Sequence, residues 1–313
     1  MPIFSISPKT LQTAAETLLQ GQLVAFPTET VYGLGANALD PMAVAKIFSL
    51  KNRPTFDPLI VHVASLAMAE SLCFFNETAY ALANKHWPGP LTLVLPKKPI
   101  VPDLVCAGLD TVAIRIPRHS IAQQLLQAAG IPIAAPSANP FGRLSPTTAK
   151  HVEDGFLDSS LMILDGGPTP IGLESTIVGF DDGKVIIYRL GGLSPEQLNF
   201  SATVSQNHPV FPGSLPQHYA PRNPLKIVEK NTLSDPNLRT GLLAFSTWAS
   251  TSGYEISEIL SPNGHLEEAA SRLFACLHRL DRAPIDQIFA EEPPHEGLGF
   301  AILDRLKRAE RLV

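Results

Sequence analysis

Between Ser7 and Gly21 the apolar residues fall at Leu11, Ala14, Ala15, Leu18 and Leu19, a spacing of three and four that gathers them on one helical face. Ser7 suits an N-cap, Pro8 a first turn and Gly21 the position just past the end, so the pattern predicts a helix there. Leu23–Phe26 is short and continuously apolar and reads as a buried strand. The same reasoning gives a helix over Pro41–Ser49 capped by Asp40, helices over Asn76–His86 and Ser120–Ala129, and strands over Leu59–Val63, Leu91–Leu95, Val112–Ile116, Ile131–Ala135 and Leu161–Leu164. Ile177–Phe180 and Val185–Tyr188 flank Asp182-Gly183, a hairpin signal, so part of the sheet is expected to be antiparallel. Helices alternate with strands, which predicts an α/β fold with a mixed sheet.

The pattern changes near residue 200. Prolines recur at 209, 212, 216, 221 and 224 with neither helical nor strand periodicity from Ser201 to Pro224, the signature of a semi-rigid connector. Beyond it, Leu225–Val228, Gly241–Ser246 and Ile285–Ala290 read as strands, and Leu266–Leu280 and Leu298–Arg311 as amphipathic helices. The expected organisation is a first domain over 1–205, a linker over 206–224, and a small α/β domain of βαβ type over 225–313. Composition agrees: 313 residues, 45% hydrophobic and 17% charged, can bury a core large enough for two domains.

Charge and cysteine content exclude several classes. The net charge of -5 is spread evenly, with no basic tail or stripe of the kind that binds nucleic acid. Three cysteines at unpaired spacings argue against a disulfide framework. Residues 1–9 lack a signal-peptide layout, and no apolar run approaches the roughly 18 residues that span a bilayer. A cytosolic setting follows as the expectation.

Two short polar segments carry candidate chemistry: Lys51-Asn52-Arg53-Pro54, and Ser137-Ala138-Asn139 after the apolar run 131–136. Both read as Pro-bounded loops, where a scaffold holds functional side chains. Two cations with hydroxyl and amide donors suit a polyphosphate, although no Walker-type loop occurs. Gly33-Leu34-Gly35-Ala36-Asn37-Ala38 matches the dinucleotide fingerprint in form, but Pro27–Tyr32 separates it from the preceding strand and Asp57 precedes its strand instead of ending it. These glycines are instead expected to let backbone turn sharply or pass close to a ligand.

Read together, Phe26-Pro27-Thr28-Glu29-Thr30-Val31-Tyr32-Gly33-Leu34-Gly35, the Lys51–Arg53 segment and Leu59-Ile60-Val61-His62-Val63 resemble the opening of the YrdC-like family of threonylcarbamoyl-AMP synthases, in the long form with a second domain. Further matching strings follow in order: Ala113–Pro117, Pro136–Asn139, Glu174–Ile177, Arg189–Gly191 and His218–Pro221. The resemblance implies a twisted mixed sheet with helices around a concave cleft, plus a smaller Rossmann-like C-terminal domain. It implies an enzyme that joins L-threonine, bicarbonate or CO2, and ATP into threonylcarbamoyl-AMP, releasing pyrophosphate, with Mg²⁺ accompanying ATP. A downstream tRNA threonylcarbamoyl transferase complex is the implied recipient, with no membrane partner and at most weak direct contact with tRNA.

The resemblance also implies site roles. Lys51 and Arg53 would stabilise charge as pyrophosphate leaves, and no side-chain nucleophile is needed. Asp57, Thr111, Ser137, Asn139, Ser145, Arg189 and Tyr219 would complete the ATP site. Thr30, His62, Arg115, Ala135 and Ser175 would hold threonine, with Arg115 clamping its carboxylate. Taken singly, His62 reads as a core histidine, and Lys51 and Arg53 as solvated charges. The chain departs from the family at Asp57, where Asn is common and a carboxylate would repel phosphates unless Arg53 or Mg²⁺ meets it. It departs again at Ala135, often a hydroxyl residue, and at Phe211-Pro212-Gly213-Ser214, where Met usually follows the Gly. The second domain has no chemical motif of its own. With the linker and its His218 and Tyr219 it is expected to act as a lid, so that deleting 206–313 removes most activity and leaves a folded first domain. Two other classes are consistent with the residues: a module binding RNA backbone through Lys51, Arg53 and Arg115, and a carbamoyl-adenylate enzyme with another acceptor.

Overall fold

The computed structural model describes residues 3–157, 159–181, 184–198, 200, 202–204 and 219–310. In chain order the first part contains β1 (Ile3–Ser5), α1 (Pro8–Leu19), β2 (Val24–Phe26), β3 (Gly33–Asn37), α2 (Pro41–Lys51), β4 (Ile60–His62), α3 (Leu66–Leu72), α4 (Glu77–His86), β5 (Leu91–Pro96), α5 (Asp103–Cys106), β6 (Thr111–Arg115), α6 (Ser120–Ala129), β7 (Ile133–Ala134), α7 (Ala149–Gly155), β8 (Met162–Asp165), β9 (Thr176–Asp181), β10 (Lys184–Arg189), α8 (Pro195–Leu198) and β11 (Ala202–Val204). The second part contains β12 (Leu225–Val228), β13 (Thr240–Ala244), β14 (Ile256–Ile259), α9 (Leu266–Arg282), β15 (Gln287–Glu291) and α10 (Gly299–Ala309).

The first domain is one mixed sheet of order β1-β8-β2-β3-β7-β4-β6-β5-β9-β10-β11. Its central strands are buried on both faces, which is why they lack polar alternation. On β2, Val24 and Phe26 pack with α1 and α6, while Ala25 faces the opposite core with α2 and α4. Helix starts follow their caps: Ser7 accepts from the Thr10 N–H, and Asp40 from the Met42 N–H. Gly21 takes φ +69° just past α1, the left-handed conformation in which glycine ends helices. The antiparallel β9–β10 pair matches Phe180 to Val185; the Asp182-Gly183 turn lies outside the described residues.

Several expectations need correction. Gly33–Asn37 is a strand, paired antiparallel with both β2 and β7, so the sharp-turn alternative for its glycines does not hold, while Gly33 does line a cavity. A Cβ on Gly35 would meet Ile133 Cγ2 and Phe26 Cε1 at 2.9 Å each, so this glycine serves close packing within the sheet. Lys51 is the last residue of α2, not a loop residue, because the helix runs to a left-handed Asn52 (φ 52°). Ala202–Val204 adds a parallel edge strand to β10, inside the stretch read as lacking periodicity. Of the expected linker, residues 206–218, including Phe211–Ser214 and His218, lie outside the described residues.

The second domain is a parallel sheet of order β12-β15-β13-β14 packed by α9 and α10. β14 was not expected from the sequence, which makes this unit one strand larger than the reading gave it. Its core is shared: Val31, Leu144 and Leu173 of the first domain and Tyr219 lie in the same buried cluster as Leu273, Phe274 and Ile302. The backbones also approach closely, since a Cβ on Gly172 would sit 2.6 Å from Ala270 O and Ser271 Cα.

Candidate active site

Parallel strands β4 and β6 bring His62 beside Arg115 in register at their carboxyl ends, the edge of an open α/β sheet where ligands usually bind. Around them is a narrow cavity lined by Thr28, Thr30, Val31, Gly33, Arg53, Pro58, Ile60, His62, Arg115, Ala135, Pro136, Ser137, Glu174, Ser175, Arg189 and Tyr219. Thr30, His62, Arg115, Ala135 and Ser175, the residues expected around threonine, all line it. Of those expected around ATP, Arg53, Ser137, Arg189 and Tyr219 line it too.

Arg115 is buried and held on three sides. Nε donates to Gly89 O at 3.2 Å, Nη1 donates to Thr30 Oγ1 at 3.0 Å, and Nη2 lies 2.6 Å from Glu29 Oε1. Thr28 fixes the preceding turn by donating to Val31 O at 2.6 Å and bonding Thr30 Oγ1 at 2.8 Å. Burial, then the adjacent Arg115 charge, push His62 down to about 3 against the opposing pull of the Ile60 and Ile133 backbone, so its ring is neutral across the working pH range. Its Nδ1 is buried and has no hydrogen-bond partner among the described residues.

Ser175 bonds Thr92 Oγ1 at 2.7 Å and receives Arg189, whose Nε and Nη2 donate to the Ser175 carbonyl at 3.1 and 2.8 Å. The match Arg189-Leu190-Gly191 has a steric reason: a Cβ on Gly191 would lie 2.3 Å from Glu174 O. Burial pulls the Arg189 guanidinium below its ordinary value and pushes the Tyr219 phenol up.

The remaining expected residues lie elsewhere. Lys51 does not line the cavity; its buried ammonium donates to Ser137 O at 2.6 Å and to Asn139 O, bracing the loop it was expected to share phosphates with. Burial, then the Arg53 charge, pull it well below the ordinary lysine value, against Asp57. Asp57 pairs with Arg53 at 2.9 Å, the pairing that removes its repulsion for phosphate. Asn139 donates to Pro140 O and Arg143 O and faces a second cleft at the domain boundary. Ser145 is fully buried and donates to Glu174 Oε1 at 2.5 Å. Thr111 is outside the cavity wall, because it begins the strand that Arg115 ends, about 13 Å away at strand rise.

Three residues of this network were not assigned from the sequence. Glu29 and Glu174 lie inside matched strings but were given no role there. Arg305 is fully buried on α10, with Nε 2.8 Å from Glu174 Oε2 and its guanidinium 4.8 Å from the centre of the Tyr219 ring.

Fold and cavity define an α/β protein with a mixed sheet, a second parallel sheet, and a buried cavity lined by Arg53, Arg115 and Arg189 at the carboxyl ends of β4 and β6. Residues 16–191 match the Sua5/YciO/YrdC family model, described as telomere recombination, and residues 184–310 match the threonylcarbamoyl-AMP synthase C-terminal domain. The Pyrococcus abyssi threonylcarbamoyl-AMP synthase is 40% identical, with 96% of this chain and 93% of that protein covered. The Bacillus subtilis threonylcarbamoyl-AMP synthase is also 40% identical, over 95% and 91%. The crystal structure of P. abyssi Sua5 complexed with L-threonine superposes with a TM-score of 0.90 at 38% identity, covering 99% of this chain and 97% of that one. The chain belongs to the threonylcarbamoyl-AMP synthase family, in the form that carries the Sua5 C-terminal domain.

Proposed function

We propose that this protein makes L-threonylcarbamoyl-adenylate. The amine of threonine, having lost its ammonium proton, attacks CO2 derived from bicarbonate: the C–N bond forms as one C=O π bond opens onto oxygen, and a second proton leaves nitrogen for water to give the carbamate. A carbamate oxygen then attacks the α-phosphorus of ATP; the new O–P bond forms as the bond to the β-phosphate oxygen breaks, and pyrophosphate leaves. The enzyme class is therefore nucleotidyl transfer, in a cytosolic setting, and the adenylate passes to a tRNA threonylcarbamoyl transferase for modification beside the anticodon.

The observation that carries this reading is the meeting, in one cavity, of two chemically distinct sets. Arg115, Thr30, His62 and Ser175 suit the carboxylate, amine and hydroxyl of threonine, with the backbone at Ala135 beside them. Arg53, Arg189, Ser137 and Tyr219 suit a polyphosphate and its nucleoside. A neutral His62 offers a hydrogen bond without adding charge. Lys51 contributes by fixing the Ser137–Asn139 loop, and catalysis rests on orientation and on charge neutralisation. ATP enters as its magnesium complex. Among the described residues no group of three or more His, Cys, Asp or Glu is placed to hold a metal, and Glu29, Asp57 and Glu174 are each engaged by an arginine. Bound with ATP, Mg²⁺ would supply charge neutralisation on the phosphates.

The test is pyrophosphate release from MgATP with threonine and bicarbonate each present or withheld. Release that requires both supports the reading. Release without threonine points to another acceptor, and none under any condition rejects the reaction.

A further inference from the structure

Arg305 belongs to the second domain yet ends inside the first. Its Nε donates to Glu174 Oε2 at 2.8 Å, Nη2 donates to Leu190 O at 2.9 Å, and Nη1 donates to Asp304 Oδ2 at 2.5 Å. The Tyr219 ring lies under the guanidinium at 4.8 Å, with Phe274 of α9 beyond it at 5.7 Å. Tyr219 holds a left-handed backbone, φ 63°, a conformation that costs a non-glycine residue about 1–2 kcal/mol and so needs neighbours to fix it. Glu174 in turn spans two walls, because its other oxygen receives the Ser145 hydroxyl.

A charge is not needed to hold α10 in place. Ala301, Ile302, Leu306 and Ala309 form the apolar stripe around Arg305, and a buried ion pair is commonly replaced by apolar residues without loss of stability. Glu174, however, lines the cavity, and a carboxylate there would oppose a polyphosphate unless cations offset it; Arg305 acts on it most strongly and Arg189 adds to that.

We infer that Arg305 is a positioning residue for ATP, supplied by the C-terminal domain: it neutralises Glu174 in the cavity wall and seats the Tyr219 ring, so that the site accepts a polyphosphate only with α10 docked. This rests on ATP being the substrate proposed above. Arg305 acts through Glu174 and Tyr219 and touches no reacting atom.

The experiment uses the full chain, with R305M, R305K, E174Q and the R305M/E174Q double variant, each checked by thermal melting. MgATP binding is measured by calorimetry and turnover by pyrophosphate release. R305M is expected to weaken MgATP roughly tenfold or more, as an unpaired charge near the phosphates would, with R305K recovering part of the loss. Added to E174Q, R305M is expected to change binding by less than about threefold, since the charge to be offset is gone. The same loss in both backgrounds, or none in either, overturns the inference. If R305M does not fold, the comparison of E174Q with the double variant decides, and a loss above about tenfold there overturns it. Wild-type protein that binds MgATP in this pattern but releases no pyrophosphate removes the proposed reaction and leaves the inference standing; protein that binds no MgATP removes both.

Discussion

His151 of α7 and His278 of α9 stack across the domain boundary, ring centres 3.9 Å apart and planes 22° from parallel. The Thr147 N–H points at His151 Nδ1, so that nitrogen must be unprotonated, while His278 Nε2 lies 3.1 Å from Ser145 O and donates to it. Arg279 and Arg282 add positive charge, which Asp154 and Asp281 partly answer. Burial first, then these charges, push His151 down to about 3 and His278 to about 4. Both values lie below the unfolded one, near 6.5, so the unfolded chain binds more protons as pH falls and stability is lost from about pH 6.5 downwards. Between about pH 7 and pH 5 each ring forfeits about 2 kcal/mol, about 4 for the pair as an upper bound and about 3 once partial water access is allowed for. Urea unfolding followed by tryptophan fluorescence is the assay; Trp87 and Trp248 report one domain each. H151Q/H278Q should lose about 3 kcal/mol less than wild type over that interval. Equal losses in the two proteins would refute the argument.

Arg115→Ala should raise the threonine KM at least about tenfold while changing the MgATP dissociation constant far less, as the proposed assignment of Arg115 to the threonine carboxylate requires; parallel shifts in both would contradict that assignment. Gly35→Ala forces a methyl against Ile133 and Phe26 and should destabilise the first domain by about 1–3 kcal/mol, read from the urea midpoint. Glu291 Oε2 accepts from the Phe245 and Ser246 N–H groups and from Trp248 Nε1. Glu291→Ala should therefore destabilise the second domain by about 3 kcal/mol or more through three orphaned donors, with Trp248 fluorescence shifting red. An unchanged midpoint would show that water replaces the carboxylate there.

Much of the fold was legible because its buried strands and capped helices obey local rules. α1 begins at the expected cap, and β9 pairs with β10 in the expected sense. Gly33–Asn37 was not legible as a strand, since glycine has low strand propensity and its use here comes from neighbours on β2 and β7 that the local sequence does not show. The candidate site was legible as strings and not as geometry: Thr30, His62 and Arg115 lie together, but a two-residue extension of α2 turned Lys51 from the cavity to a loop brace. Arg305 carried a signal of its own. It stands at helical spacing among Ala301, Ile302, Leu306 and Ala309, where an apolar residue is expected, and a charge in such a stripe requires a buried partner.

The Arg305–Glu174 contact also sets an order of events. Synthesis runs from the N-terminus, and domains tend to fold as they emerge. The domain that carries Thr30, His62, Arg115 and Glu174 can thus form long before α10 exists, and in that interval Glu174 has Arg189 but not Arg305 to offset its charge. A partly made or clipped chain would thereby keep a less fully neutralised carboxylate in the cavity wall. On the proposed role of Arg305, full affinity for nucleotide would then await the docking of α10.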